Sequence, residues 1–491
     1  MWKLATSPSA ADLKRGFVTD RGLLDDNQFD QAAEVLAAIE ASGLETVRLA
    51  FVDQHGVLRG KTIVADKIAG LFRSGMAITS TLLLKDTSHR TVFSVWEETG
   101  QGGAGELIGA GDVLLVPDPS TFKILPWSSH SGWMLCDVYF KDGRPYPFSS
   151  RGILRNAVNK LGERGLDFVC GLEVEFYVFR LDDPRLEHSD GGMPATPPDP
   201  SLLSHGYQYL TESRYDTLEP IADEIRRACQ KLGMSVRSVE AEFGPSQFEF
   251  TFEPDSPMNH ADTMVLFRTT VKQMCARMGL HATFMCRPKV DNGMASGWHL
   301  HQSLVERSTG RNVFTPAPGE DLTPTASAWI AGLLDHASES CILTTPTVNG
   351  YKRYQPFQLA PDRIQWGRDN KGAMIRALIA PGDSASRIEN RVAEPAANPY
   401  YFFASQILSG LDGLQRQAVA PAPIERPYDN DSRHLPKSLI AAIERFEESD
   451  FYKNAIGEDF VAYLAHIKRA EWNRYLMTVS EWEQREYFSL F

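Results

Sequence analysis

The sequence lacks several features that would each assign it to a class. Its six cysteines are scattered over 491 residues with no CxxC pair, so a disulfide framework is not indicated. It has no run of about 18 apolar residues, as a membrane span requires, and its first residues lack the apolar core of a signal peptide. It has no GxxxxGK[ST] phosphate loop and no GxGxxG after a predicted strand. We therefore expect a cytoplasmic protein with free thiols and no membrane partner.

Positive charge is also in deficit. Fifty Lys and Arg residues stand against 63 Asp and Glu, for a formal net charge of −13. Nucleic-acid binding through phosphate neutralisation is therefore not expected. Hydrophobic residues at 43% and charged residues at 23% are ordinary globular usage, which excludes disordered and collagen-like chains.

The chain divides by pattern into three parts. Residues 1–30 are interpreted as a loose N-terminal arm. Residues 31–147 form a small, mostly β unit, with two strands in 46–64 joined by a turn at Gln54–Gly56 and further strands at Val113–Val116 and Gly132–Phe140. Residues 148–491 form the larger unit, which begins with a helix over Arg151–Arg164. The aromatic-rich helical C-terminus is expected to serve core or subunit packing.

Four segments of the larger unit alternate with period two and place polar side chains on one face. They are FVCGLEVEFYVF with Glu173 and Glu175, QFEFTFE with Glu249, WHLHQS with His299, His301 and Ser303, and RIENR with Arg387, Glu389 and Arg391; Glu242 lies just upstream of the second. Any one of them alone is typical of a half-exposed strand. Four in one chain favour a shared cation site, because carboxylates two apart on one strand face repel each other.

Carboxylates with one imidazole suit Mg²⁺ or Mn²⁺. We interpret Glu173, Glu175, Glu242, Glu249, His299 and Glu389 as ligands of two or more such ions. A second basic region follows: NGYKRYQPFQLAP and WGRDNKGAMIR supply Lys352, Arg353, Arg368, Lys371 and Arg376. Gly, Pro and aromatic residues interleave with these charges, which predicts a structured loop over an anionic ligand. A nucleotide would be held by metal and arginine.

These segments, in this order, resemble the glutamine synthetase superfamily from about Thr46 to the C-terminus. The motifs are GLEVEF, EFGPSQFE, GWHLHQS, NGYKR, the basic loop ending at Arg376, and RIENRVAEPAANPYY. The segments HGVLRGK and AEWNRY…SEWEQREY are more similar to the γ-glutamyl amide ligase branch than to the ammonia-using enzymes. The resemblance implies an α+β fold with a small N-terminal β-grasp domain and a large catalytic domain on a curved antiparallel sheet. It also implies hexameric rings, stacked as a dodecamer, with active sites between subunits.

The resemblance implies a role for each motif residue. Glu175, Glu242 and Glu249 would hold one metal, and Glu173, His299 and Glu389 another, with two or three ions per site. Glu175, Asn292, Gly293, Arg353 and Arg391 would bind glutamate; His301, Ser303, Lys371, Arg376 and Arg387 would contact ATP. Arg376 and Arg353 would be catalytic, with Arg376 on the transferring phosphoryl group. ATP would convert the γ-carboxylate of glutamate into an acyl phosphate, which an amine then attacks.

Three departures from the family pattern concern the amine. Leu359 stands where ammonia-using members carry a glutamate that closes the site, and Thr79 stands where their small domain carries an aspartate. The loop DNGMASGWH is longer than its NGSGxH counterpart. Losing both acids removes the partner of an ammonium ion and leaves an apolar surface. We predict an amine pocket from Thr79, Leu82, Trp298, Phe357 and Leu359; the alternative is that Leu359 and Phe357 simply pack a loop.

The expected activity is thus an ATP-dependent ligase that joins glutamate to a neutral or hydrophobic amine, such as an aniline or a small alkylamine. The alternatives are a γ-glutamylpolyamine synthetase, glutamine synthetase itself, and a non-catalytic ring-forming relative. The presence of all six metal ligands and of Arg376 argues against the last.

Overall fold

A computed structural model describes residues 8–96, 104–207 and 209–491, and the chain forms two sheets. The N-terminal sheet has strands β1 (Thr46–Val52), β2 (Leu58–Val64), β3 (Met76–Thr79), β4 (Asp112–Pro117), β5 (Lys123–Ile124) and β6 (Ser131–Tyr139). Its helices are α1 (Ala10–Leu13), α2 (Phe17–Asp20), α3 (Asp26–Ala41) and α4 (Ile68–Ser74). The strand order is β2-β1-β6-β4-β3 with β1 and β6 parallel, which is the predicted β-grasp arrangement. The hairpin predicted over 46–64 is confirmed.

The prediction of a loose arm is wrong for residues 10–30. These residues form α1, α2 and the start of α3, and Leu13 and Val18 are fully buried. Ser9 caps α1 in a capping box with Asp12. Helices of four residues are too short to show a 3.6-residue period, which is why the sequence pattern did not reveal them. Residues 1–7 lie outside the described ranges, and the boundary near residue 147 stays a prediction.

The second sheet is larger and carries the polar strands. It comprises β7 (Leu166–Leu181), β8 (Pro200–Leu202), β9 (Val236–Ala241), β10 (Gln247–Phe252), β11 (Leu280–Thr283), β12 (Trp298–Glu306), β13 (Trp366–Arg368), β14 (Ile375–Leu378) and β15 (Arg387–Asn390). The order is β13-β14-β15-β12-β7-β10-β9, antiparallel except for β13 with β14, and β8 and β11 also pair with the long β7.

Ten helices of the described ranges follow in the larger unit. They are α5 (Ser150–Gly162), α6 (Glu212–Lys231), α7 (Pro257–Arg277), α8 (Pro324–Asp335), α9 (Ala337–Thr344), α10 (Pro399–Arg416), α11 (Leu439–Glu448), α12 (Asp450–Ala455), α13 (Glu458–Leu476) and α14 (Glu481–Tyr487). α7 packs on the apolar face of the sheet, where the ring of Phe267 lies 5.8 Å from that of Phe176 in β7. No helix within the described residues is long and apolar enough to cross a membrane.

A buried arginine joins the two units. Arg151, in the first turn of α5, is 4% exposed and forms ion pairs with Asp118 (2.8 Å), Asp137 (2.8 Å) and Asp262 (2.9 Å). The first two aspartates belong to the N-terminal sheet region, and Asp262 belongs to α7. A single guanidinium therefore pairs with three carboxylates at the contact between the units.

We predict that Arg151→Met lowers the free energy of unfolding by about 3–5 kcal/mol, because it leaves Asp118 and Asp262 without the positively charged partner described above. Urea unfolding at neutral pH measures this. Arg155→Met is the matched control: Arg155 pairs only with Asp137 among these aspartates and has a more exposed side chain, so it should cost less than about 1 kcal/mol. Equal effects of the two substitutions would contradict the assignment.

Candidate active site

Cross-strand register places the predicted polar residues beside one another on one face of the larger sheet. His299 of β12 lies opposite Glu173 of β7, and Glu249 of β10 lies opposite Glu175 of β7. Further along, Glu389 of β15 lies opposite both His301 of β12 and Arg376 of β14. The period-two alternation within each strand and the register between strands therefore bring residues that are distant in sequence into one row.

The side chains in this row make direct contacts. Nδ1 of His299 lies 2.7 Å from Oε1 of Glu173 and 3.6 Å from Oε1 of Glu389. Nε2 of His301 lies 3.2 Å from the other oxygen of Glu173. Nε2 of His299 lies 4.0 Å from Oε1 of Glu175. The two histidines thus bridge three carboxylates.

Three groups of side chains in the described ranges offer ligand atoms within 4.8 Å of one another. They are Glu173, His301 and Glu389; Glu173, Glu249 and His299; and Glu240, Glu242 and Glu249. Carboxylate oxygens with an occasional imidazole fit Mg²⁺ or Mn²⁺. Five of the six predicted ligands belong to these groups. Glu175 stays outside them and accepts a hydrogen bond from Gln247 (3.0 Å).

Sequence reasoning missed Glu240. It lies opposite Glu249 in the β9–β10 ladder, two residues before Glu242. The signal was present in VRSVEAEF, where Glu240 and Glu242 alternate with apolar residues just as Glu173 and Glu175 do. His301, predicted for ATP, also belongs to a group that could hold a metal ion.

Burial and mutual repulsion make this face costly for negative charge. Burial, reinforced by the charge of Glu242, raises the pKa of Glu175 to about 8. Burial, reinforced by Glu173, raises the pKa of Glu249 to about 11, and burial raises that of Glu242 to about 7. Burial also acts on Glu173, but the neighbouring His299 outweighs it and lowers the pKa of that carboxyl. A divalent cation among these oxygens would relieve the repulsion.

We predict that Glu249→Gln reduces the rise in melting temperature that Mg²⁺ or Mn²⁺ produces by at least half, because the substitution removes a charged oxygen shared by two ligand groups. Thermal unfolding with and without each ion measures the shift. Glu253→Gln, on an exposed residue just beyond β10, is the control and should keep the full shift. An unchanged shift in Glu249→Gln would remove Glu249 from the metal site.

Three arginines, Arg353, Arg376 and Arg391, lie beside the Glu389 end of the carboxylate row. Glu389 is fully buried and pairs with Arg391 and, at 3.0 Å, with Arg376, which also reaches Asp369 (2.6 Å). Nε of Arg391 is buried and has no hydrogen-bond partner among the described residues. Arg353 is 3% exposed and donates from Nη1 to the carbonyl oxygens of Arg391 (2.8 Å) and Val392 (3.1 Å). These guanidinium groups retain donors for a carboxylate or phosphate ligand.

Gly297 permits the close approach of the Arg353 guanidinium and the His299 imidazole. A Cβ atom at this position would lie 2.6 Å from Nη2 of Arg353 and 2.9 Å from Nε2 of His299. Both distances are too short for a carbon atom. The glycine before Trp298 is therefore required for the arginine to reach the histidine.

A buried carboxylate supports the turn that carries Arg353. Glu394 accepts hydrogen bonds from the backbone N–H (2.8 Å) and hydroxyl (2.9 Å) of Thr347, whose hydroxyl oxygen accepts the N–H of Gly350 (3.0 Å). Gly350 opens the 3-10 turn Gly350–Arg353. Burial raises the pKa of Glu394 to about 7 although the bonds from Thr347 act in the opposite direction.

This raised pKa predicts a pH dependence of stability. The folded protein holds the proton of Glu394 more tightly than the unfolded chain, so this contribution is full below pH 4.5 and is lost as the pH rises to about 7. The difference in unfolding free energy between wild type and Glu394→Gln should shift by about 3 kcal/mol across this window, since one pKa unit corresponds to about 1.4 kcal/mol. Urea unfolding at several pH values measures it. The exposed Glu444→Gln should track wild type, and a flat difference for Glu394→Gln would contradict the prediction.

A cavity of about 360 Å³ opens beside the carboxylate row. Four of the five predicted ATP residues line it, namely His301, Ser303, Arg376 and Arg387, together with Glu173. Nε of Arg387 donates to Nδ1 of His301 (3.2 Å). Lys371 lies in the turn between β13 and β14, where its charge acts on Glu242. The cavity also includes Arg237 and Glu240, which the sequence analysis did not assign.

Comparison with known proteins decides the family. The family profile described as "Glutamine synthetase, catalytic domain" matches residues 147–487. The chain belongs to the glutamine synthetase family. It is 41% identical to a γ-glutamylanilide synthase of Acinetobacter sp., over 97% of this chain and 99% of that protein. It is 30% identical to the γ-glutamylethanolamide synthetase GlnA4 of Streptomyces coelicolor, over 93% and 95% of the two chains.

A solved structure agrees with this assignment. The structure of apo GmaS without ligand superposes with a TM-score of 0.77 at 26% identity, over 92% of this chain and 99% of that one. The predicted resemblance and the predicted fold class are both confirmed. The α+β architecture described above is thus that of the glutamine synthetase family.

Among the residues predicted for the amine, Trp298 is wrongly assigned. It is fully buried and packs edge-on against Phe402 (5.2 Å) and Phe403 (5.6 Å) of α10. Adjacent residues of a strand face opposite sides of a sheet, so Trp298 points away from the side that His299 occupies. It is a core residue of this glutamine synthetase-family chain.

The other four lie in two places, with Leu82 half-buried against the core and the other three exposed. Thr79 ends β3 and Leu82 lies in the 3-10 turn after it, both in the N-terminal unit. Phe357 and Leu359 lie in the loop after Arg353, where they are 79% and 48% exposed. The ring of Phe357 lies 4.6 Å from that of Tyr428, and the carbonyl oxygen of Leu359 accepts from Arg391 (3.3 Å). Leu359 therefore adjoins the arginine cluster.

The loop DNGMASGWH, which leads to His299, accepts hydrogen bonds from two tyrosines. Tyr207 donates its hydroxyl to the carbonyl oxygen of Asn292, and Tyr177 donates to that of Met294, each at 2.7 Å. Asn292 has a positive φ of 58°, and the N–H of Gly293 donates to Val290 (2.9 Å). The glutamate-binding role of Asn292 and Gly293 stays a prediction.

Proposed function

We propose that the chain is an ATP-dependent ligase that joins the γ-carboxylate of glutamate to a neutral or hydrophobic amine, through a γ-glutamyl phosphate. The observation that carries this proposal is the row of buried and half-buried carboxylates and histidines beside three buried or half-buried arginines, with Leu359 next to Arg391. The membership of the glutamine synthetase family and the similarity to synthases of γ-glutamylanilide and γ-glutamylethanolamide support it.

The residues divide into three roles. Glu173, Glu240, Glu242, Glu249, His299, His301 and Glu389 would hold Mg²⁺ or Mn²⁺, with Glu175 next to them. Such ions, when bound, offset negative charge on the ATP phosphates and on the transferring group. Arg376, on the cavity wall and 3.0 Å from Glu389, would stabilise the phosphoryl group in transfer. Arg353 and the unpaired Nε of Arg391 would bind the carboxylates of glutamate.

Leu359 sets the expected choice of amine. An ammonium ion needs a carboxylate to bind it and to accept its proton, and a leucine supplies neither. An arylamine is already neutral at pH 7 and gains from burial against apolar side chains. The similarity to a γ-glutamylanilide synthase supports an aniline-like substrate.

We also propose a homo-oligomer of hexameric rings, paired as a dodecamer, with Thr79 and Leu82 facing the site of a neighbouring subunit. Exposed apolar residues near the C-terminus, including Trp482 at 61% and Phe491 at 96%, support assembly. An apolar surface of this kind is typical of subunit contacts.

Phosphate release with ATP, glutamate and a panel of amines tests the proposal. Aniline or short alkylamines should be used with higher kcat/KM than ammonia or putrescine. Preference for putrescine would indicate a polyamine ligase, preference for ammonia a glutamine synthetase, and no release with any amine a non-catalytic relative.

We predict that Leu359→Glu shifts preference toward ammonia, because a carboxylate stabilises a cation and opposes burial of a ring. The ratio of kcat/KM for ammonia to that for aniline should rise by about tenfold, equivalent to about 1.4 kcal/mol. Leu359→Gln is the matched control, of similar size without the charge, and should leave the ammonia rate close to wild type. No change in the ratio for Leu359→Glu would separate Leu359 from the amine.

A further inference from the structure

An aromatic pair lies beside the carboxylate row. The rings of Tyr209 and Phe243 are stacked, with centroids 4.3 Å apart and an interplanar angle of 7°. Both side chains are only partly buried. Phe243 directly follows Glu242, and its N–H donates to the Glu242 carboxylate (3.1 Å). The stack is therefore attached to a predicted metal ligand and presents aromatic surface to the outside.

Backbone contacts fix the position of Tyr209. The N–H of Tyr207 donates to the carbonyl oxygen of Phe243 (2.7 Å), and that of Leu210 donates to Ala241 (3.2 Å). Gly206 fits only because it lacks a side chain, since a Cβ atom there would lie 2.6 Å from the nitrogen of Pro245. This segment therefore runs along the end of β9 that carries Glu242, and Tyr209 is held from both sides.

The hydroxyl end of Tyr209 lies within electrostatic reach of the row. Burial, together with the charges of Glu242, Glu249 and Glu240, raises the pKa of this hydroxyl. At its other side the segment reaches the longer loop, through the bond from Tyr207 to Asn292. The stacked pair thus lies between the carboxylates and the loop predicted to contact glutamate.

We propose that Tyr209 and Phe243 form the aromatic wall on which the ring of an arylamine packs, so that Tyr209 is a specificity-determining residue for the amine. This inference rests on the proposed ligase function. Aromatic rings pack favourably in offset or edge-to-face geometry, and a half-exposed stack offers a ring-sized surface that a small ring-free amine cannot fill. The stacked pair would thus attract an aromatic amine, whereas Leu359 only lacks the acidic group that would favour ammonium.

Two nucleophiles distinguish a role of Tyr209 in binding a ring from a role in the ligase chemistry. Aniline has a ring, whereas hydroxylamine has none and yields a γ-glutamyl hydroxamate. Tyr209→Ala should lower kcat/KM for aniline by about tenfold or more and change that for hydroxylamine by less than about twofold. Tyr209→Phe keeps the ring and should retain aniline activity within about threefold. Leu202→Ala, an exposed truncation in the same segment, should leave both activities unchanged.

An equal loss of kcat/KM with both nucleophiles in Tyr209→Ala, or no loss with either, would overturn the proposal of an aromatic wall. Wild-type activity with hydroxylamine and none with aniline would overturn it too, while the ligase function would stand. Activity with neither nucleophile would instead contradict the proposed function. Should Tyr209→Ala lack a cooperative thermal transition, Phe243→Leu provides the second test, with the same selective loss of aniline activity expected.

Discussion

Repulsion among buried carboxylates on one face of the larger sheet is the constraint on which the rest of the site depends. Burial and mutual charge raise the pKa values of Glu175, Glu242 and Glu249, so this face favours cations. Arg376 meets part of this demand by pairing with Glu389 across neighbouring strands. The imidazole of His299 contacts Glu173, but burial lowers the pKa of His299 and so disfavours its charged form. This demand for positive charge makes the face suited to divalent ions.

Glu389 links the carboxylate row to the arginine cluster. It is fully buried, lies near His299 on one side and pairs with Arg376 and Arg391 on the other. A carboxylate or phosphate that approaches these arginines therefore competes with Glu389 for their donors. The buried, unpaired Nε of Arg391 gives such a ligand a bond that Glu389 does not already use. Binding of an anion would thus be coupled to the charge state of the carboxylate row through the side chain of Glu389.

The sequence was most informative where a local period and a chemical requirement coincide. Alternation placed Glu173, His299 and Glu389 on polar faces, and the register of the strands brings those faces together. Register itself depends on non-local pairing, which is why the grouping of Glu240 with Glu249 was not foreseen. The assignment of Trp298 failed on the same rule that succeeded for His299: neighbours in a strand face opposite sides, and the large apolar residue belongs to the core.

Selection of one amine over another requires a difference between two affinities. In the proposed ligase, Leu359 and Thr79 in place of two acids would remove what holds an ammonium ion, but this change alone would favour no other amine. The stacked Tyr209 and Phe243 supply apolar contact next to Glu242, and the exposed Phe357 and Leu359 supply more beside Arg391. Phe357 and Leu359 both have positive φ, a conformation that costs a bulky residue about 1–2 kcal/mol. Two large apolar side chains held outward at such a cost leave an apolar surface beside Arg391, on which the proposed arylamine would gain contact.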